Sequence, residues 1–208
     1  MVADDELLPF EDGTFDLVIS NCSLHWANDV IGCLVQANNV LKSDGLLLCA
    51  IPGGATLQEL RSSFAIAEQE REGGVAPHTS PTISVRDAGD LLVRGGFSLP
   101  TVDVEKIVVV YEDAYALMDH LRGMGASNAL TGRRDSVPAD TVHAMAAVYQ
   151  SLYSEPDGGV RATFEFISMT AWKPDPTQPV AKDRGTADLS MDQLADVLDT
   201  PIETIQDN

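Results

Sequence analysis

The sequence predicts an α/β fold whose sheet is mostly parallel and whose last strand runs antiparallel. Three observations carry this. Two short apolar runs, Phe15–Ser20 and Leu46–Ile51, flank a segment with helical spacing of apolar residues. A valine-rich run, Thr101–Tyr111, follows further helical segments. An alternating run, Ala162–Lys173, comes last. Short continuous apolar runs fit strands covered on both faces, as parallel sheets require.

Each element has its own local signal. Asp12-Gly13 precedes the first strand, 15–20. Asn28 is placed to cap a helix over 29–40, with Ile31, Leu34, Val35 and Val40 on one face. Lys42-Ser-Asp-Gly45 reads as a turn with glycine where positive φ is cheap. Pro52-Gly-Gly54 ends the second strand. Thr56-Leu-Gln-Glu59 has capping-box spacing and predicts a helix over 57–71 that stops at Gly73-Gly74. Residues 75–83 read as a loop. Ser84-Val-Arg-Asp87 starts another capped helix with Ala88, Leu91 and Leu92 inside, ended by Gly95-Gly96. Asp113 caps a helix bearing Leu117, Met118 and Leu121. Pro138 suits the first turn of the next helix, whose buried face is Val142, Met145, Ala146, Tyr149 and Leu152. Asp157-Gly-Gly159 is a turn into the last strand.

Composition narrows the function. The 208 residues hold 13 Lys and Arg against 32 Asp and Glu, a formal charge of −19. That surface repels phosphate backbones, so nucleic-acid binding is not expected, whereas a basic protein partner suits it. Cys22, Cys33 and Cys49 form no C-x-x-C pair, which argues against a disulfide framework or zinc site and for a reducing compartment. Cys49 reads as a small core residue. No transmembrane run is present. The first dozen residues carry five acids and no base, unlike a mitochondrial presequence or a signal peptide. Residues 174–208 hold eight acids, two bases and four prolines, and read as a mostly disordered tail.

Several motifs then carry a resemblance. Asp4-Asp-Glu-Leu-Leu-Pro-Phe10, Thr14-Phe-Asp-Leu-Val-Ile-Ser-Asn21, Leu24-His-Trp26 and Val40-Leu-Lys-Ser-Asp-Gly-Leu-Leu47 are similar to the middle of class I S-adenosylmethionine-dependent methyltransferases of type 11. Four further stretches narrow the likeness. They are Thr56–Arg61, Ala67–His78, Arg122-Gly-Met-Gly-Ala-Ser-Asn128 and Phe166–Pro176 with its Ala-Trp-Lys-Pro-Asp-Pro ending. Together they resemble the mitochondrial complex I assembly factor 5 family. More distantly the chain is similar to the malonyl-carrier-protein methyltransferase. The resemblance implies the C-terminal portion of a Rossmann-like seven-stranded methyltransferase sheet with inserted helices. It implies a partial domain over 1–173 and the tail over 174–208. It also implies complex I assembly, with hydroxylation of an arginine on a complex I subunit, a mitochondrial matrix location and peripheral association with the inner membrane.

One departure from the family pattern sets a further expectation. The glycine-rich turn that holds S-adenosylmethionine in such folds has no counterpart here, because the glycine pairs at 53–54, 73–74 and 95–96 sit elsewhere. The sequence therefore reads as truncated at its front. It is expected to bind the cofactor only when the missing half is supplied, to be inactive alone, and to have poor stability by itself, because Phe15–Ser20 lacks a neighbour.

By the same resemblance Asp4 accepts from the adenine amino group and Asp5 offers its backbone N–H; the bland reading is a solvated acidic N-terminus. Ser20 and Asn21 end the first strand at the carboxyl edge, where ligands bind in open α/β sheets, although Asn21 could equally cap the turn. His25, Trp26 and His78 are the candidate substrate-pocket residues, with Trp26 able to stack on an arginine; the alternative is a packed aromatic beside a surface histidine. His120 and His143 read as surface residues, and the histidines show no iron-ligand spacing. Glu68–Glu72 with Arg71 reads as a solvated helix face. A small-molecule or protein methyltransferase and a non-catalytic interaction fragment remain the alternative functions.

Overall fold

The computed structural model describes residues 2–180 and Gly185. Residues 1–175 form one compact unit and 176–208 a second. The tail expectation falls largely outside the described residues.

The first unit contains β1 (Phe15–Asn21), α1 (Val30–Val40), β2 (Leu41–Pro52), α2 (Gln58–Glu72), α3 (Val85–Arg94), β3 (Ser98–Tyr111), α4 (Ala114–Gly123), α5 (Ala139–Tyr153) and β4 (Val160–Trp172). A 3₁₀ turn spans Leu24–Trp26. The four strands make one sheet in the order β1-β2-β4-β3. β1 runs parallel to β2. β4 lies antiparallel to both β2 and β3. The expected antiparallel last strand is thus inserted between its neighbours. The carboxyl ends of β1 and β2 meet at Asn21 and Pro52.

Two apolar clusters cover the sheet. One gathers Leu34, Leu41, Leu47, Ala88, Leu92, Ile167 and Met169. The other gathers Phe64, Leu117, Met145, Tyr149, Val160 and Ala162. β4 feeds both: Ile167, Met169 and Ala171 point into the first, Val160 and Ala162 into the second. Alternation along a strand sends these two sets to opposite faces.

Most elements fall where the sequence places them, and the differences are local. Asp29, not Asn28, caps α1, accepting from the Gly32 N–H at 2.8 Å. The positive φ in the 42–45 turn belongs to Asp44, at 60°, not to Gly45. Phe15 pairs with Leu41 and Leu17 with Leu46, so residues 42–45 bulge from the ladder. Pro138 precedes α5 as its cap rather than entering its first turn. Leu152 is exposed, and Thr141 takes a place on the buried face. β1 is not covered on both faces: Leu17 and Ile19 are exposed, and no strand among the described residues lies on its other side.

The capping box at Thr56–Glu59 does not form. Leu57 occupies the cap position with φ 52° and no side-chain cap. Thr56 and Glu59 bind β4 instead. Thr56 Oγ1 donates to the Glu165 carbonyl at 2.8 Å and accepts from the Glu165 N–H at 3.1 Å. The buried Glu59 carboxylate accepts from the Thr163 N–H at 3.1 Å and from its hydroxyl. β2 ends opposite Phe166, so side chains at the start of α2 satisfy the β4 groups that a longer β2 would have met. Ser84–Asp87, in contrast, is a full capping box, and Asp113 caps α4 through the Ala116 N–H at 2.8 Å.

Candidate functional site

The carboxyl edge of β1 and β2 carries two neighbouring sets of cavities, divided by the 3₁₀ turn. On the β1 side Asp5, Ser20, Asn21, Ser23 and Leu24 line a cavity of about 240 Å³. This brings together three of the four residues expected to face the cofactor. Asp4 lies apart, in an exposed hollow shared with Asp5 and Trp26. The Asp4 carboxylate accepts from the Glu6 N–H at 3.0 Å, and Asp5 accepts from the Ser23 hydroxyl. Ser20 Oγ is buried with no hydrogen-bond partner among the described residues. A buried hydroxyl left unpaired is costly unless a ligand or water completes it. Burial pushes the Cys49 thiol up to about 11, with the Ser20 hydroxyl beside it pulling the other way. Cys49 is a core residue rather than a nucleophile.

On the β2 side His25, Trp26 and His78 line one cavity of about 180 Å³, together with Pro52, Arg61 and Asn128. A second cavity of about 450 Å³ adjoins it and shares His25, Trp26 and Pro52. The sequence places His78 more than fifty positions from His25 and Trp26; the fold converges them. The His25 and Trp26 rings lie 4.9 Å apart at 43°. His25 Nδ1 is buried without a partner among the described residues. Burial lowers the His25 pKa, so the neutral imidazole is favoured.

His78 is held from behind. Its ring stacks on Phe64 at 4.4 Å, and Nε2 lies 2.8 Å from Glu68 Oε1. Glu68 Oε2 accepts from the Ala76 N–H at 2.8 Å. Glu68 is completely buried, which corrects its expected place on a solvated face. It can be buried because the His78 ring, a backbone amide and, at 3.7 Å, Arg134 surround it. Arg134 also pairs with Glu72, which accepts from the Thr141 hydroxyl at 2.8 Å. The Thr141 and Arg134 bonds lower the Glu72 pKa. Asn128 ties the second wall of the cavity to the first by donating to the Pro77 carbonyl at 2.8 Å. His120 and His143 sit elsewhere, paired with Tyr111 and Tyr115 on exposed positions.

Arg61, Glu68 and Asn128 were not singled out as site residues by sequence reasoning. Their signal was present in the Thr56–Arg61, Ala67–His78 and Arg122–Asn128 stretches, which converge here.

Residues 1–49 match the family described as "Methyltransferase domain". Among solved structures, a putative methyltransferase from Bacillus halodurans superposes with a TM-score of 0.53 at 19% identity, covering 83% of this chain and 76% of that one. The fold is a methyltransferase fold. Within it, the two cavity sets lie at the carboxyl edge where open α/β sheets bind ligands. The chain is 45% identical over 197 residues to "Arginine-hydroxylase NDUFAF5, mitochondrial" of Danio rerio, covering 95% of this chain and 61% of that protein. It is 39% identical over 173 residues to the "Malonyl-[acyl-carrier protein] O-methyltransferase" of Laribacter hongkongensis, covering 83% and 56%. The chain therefore spans about three-fifths of the length of the curated relatives it matches. No helix among the described residues is long and apolar enough to cross a membrane.

Proposed function

We propose that this chain is part of a methyltransferase-fold protein that acts in mitochondria on complex I assembly and hydroxylates an arginine of a complex I subunit. Its partners are then complex I subunits or assembly proteins, and its place is the matrix side of the inner membrane, held peripherally. The observation that carries this reading is the 45% identity with an arginine hydroxylase over 95% of the chain. The geometry supports a division of labour. Asp5, Ser20 and Asn21 face the cofactor and His25, Trp26 and His78 face the substrate, with the Leu24–Trp26 turn between them. Residues 1–173 form the working domain and 174–208 the acidic tail.

S-adenosylmethionine is the cofactor this reading implies. The buried Ser20 hydroxyl, with only the weak thiol of Cys49 beside it, fits a polar ligand at that edge. The cavity there, at about 240 Å³, falls below the roughly 300–1,000 Å³ of small-molecule sites. The residues present therefore fit one side of the cofactor, and Asp5, Ser20 and Asn21 would hold it. The turn after β2 is not a second cradle: a side chain at Gly53 would meet Glu165 Oε1 at 2.5 Å, so the chain itself fills that space. Bound S-adenosylmethionine supplies a methyl group activated on a sulfonium.

Two measurements test the proposal. Calorimetric titration of S-adenosylmethionine should give weak binding or none to this chain, and tighter binding when a preceding glycine-rich segment is fused in frame. Incubation of that fusion with arginine-containing complex I peptides, dioxygen and a two-electron reductant should add one oxygen to arginine, the second oxygen atom leaving as water, read by mass spectrometry. A gain of one methyl on a carboxylate would favour methyl transfer, as the second relative's name suggests. No covalent change together with peptide binding would favour an interaction role.

A further inference from the structure

We infer that the cavity lined by His25, Trp26 and His78 is a carboxylate-binding subsite and that Arg61 is its anchor. The inference rests on the reading above only in taking this cavity as the one that receives substrate. Acids make up 32 of the 208 residues, yet none of the 15 residues lining this cavity is an acid. The adjoining larger cavity has no charged lining residue of either sign. Arg61 is the single charged side chain on the inner wall apart from the histidines.

Arg61 is half-buried. Its guanidinium donates from Nη2 to the Gly54 carbonyl and has no carboxylate partner among the described residues. A guanidinium carries five N–H donors in a planar fork that matches a carboxylate. Glu68, the acid behind His78, is not offered to the cavity, because its two oxygens are occupied by the Ala76 N–H and His78. A cation entering would meet Arg61 and imidazole edges with nothing to neutralise it. An anion would meet Arg61 and the hydroxyls of Thr79, Ser80 and Ser127. The acidic outer surface thus draws a basic partner while the cavity selects an acid. For a protein substrate this places an acidic side chain, rather than the modified arginine, against Arg61. For a small substrate it places an acyl carboxylate there.

The test is an NMR titration of this chain, following the Trp26 indole N–H and the Ser80 and Ser127 amides. Three probes are used: aspartate blocked at both ends, malonyl-N-acetylcysteamine, and arginine blocked at both ends. Saturable shifts with either carboxylate are expected in the millimolar range or tighter. Aspartate winning assigns a peptide source, and the thioester winning assigns a small acyl source. Arg61→Gln keeps a donor for Gly54 and should weaken binding roughly ten- to a hundredfold, the loss of one charge-assisted bond pair. Arg61→Lys should restore part of it. Blocked arginine binding tighter than both carboxylates overturns the inference, as does equal carboxylate binding by the Arg61→Gln variant, or none by the unaltered chain. The arginine oxidation assay reads the chemistry and this titration reads the cavity, so either can fail without the other.

Discussion

β1 and β4 make opposite use of their side chains. β1 (Phe-Asp-Leu-Val-Ile-Ser-Asn) is short and apolar, yet Leu17 is 44% and Ile19 65% exposed. β4 carries Arg161, Glu165, Ser168 and four other polar or small residues within its span, yet Ile167 and Met169 are at most 1% exposed. The difference lies in neighbours. β4 is flanked by β2 and β3 and covered by both clusters, whereas among the described residues β1 pairs with β2 alone. Apolar content therefore reports what a strand needs, and its place in the sheet decides whether the need is met. An exposed apolar edge is also a template for pairing with another chain.

The sharpest way to break this comparison is to delete the same side chain from each strand. Ile167→Ala should cost about 2–5 kcal/mol, as deletions in packed cores do. Ile19→Ala should cost less than about 0.5 kcal/mol, as at open surfaces. Urea unfolding of both variants measures the ratio, and equal losses would mean that β1 is covered in solution. A smaller effect isolates the anchor of β4. Glu59→Ala removes the acceptor of two Thr163 donors and should cost about 1.5–3 kcal/mol, the range for bonds to a charged group at a buried site. Glu59→Gln should lose less, because it keeps one acceptor oxygen.

The smallest effect belongs to the turn that follows β1. Burial lowers the His25 pKa in the folded chain, so below about pH 6.5, the unfolded value, the unfolded chain binds the proton first. Stability from this residue is complete above that pH and falls as pH drops. The melting temperature should therefore decline more on acidification in the unaltered chain than in His25→Asn, where the two profiles differ only in that window. Identical profiles would show that His25 is solvated.

Much of the fold was readable because it is local. Caps and glycine stops placed α3 and α4, and apolar runs placed β1, β3 and β4 within three residues, whereas β2 starts at Leu41, five residues before the run that marked it. The failures share one cause. Thr56 and Glu59 have capping-box spacing, but β4, more than a hundred residues away, offers unpaired backbone groups that outbid the helix's own N-terminus. Glu68 has the composition of a solvated face, but a loop folds back and gives it His78 and the Ala76 amide. Leu152 has the right helical spacing, but it stays exposed among the described residues.

The site was legible in parts and invisible as a whole. The order of elements, the acidic surface, and the choice of Ser20, Asn21, His25, Trp26 and His78 all came from the chain read in one dimension. Periodicity, caps and motif spacing are set by neighbours along the backbone. Which of those residues share a cavity, that Asp4 stays out of the one lined by Asp5, Ser20 and Asn21, and that Arg61 lines a cavity with no acid in its wall were decided only by tertiary structure. Those properties depend on which distant segments meet, and the meeting is fixed by the packing of two clusters around β4.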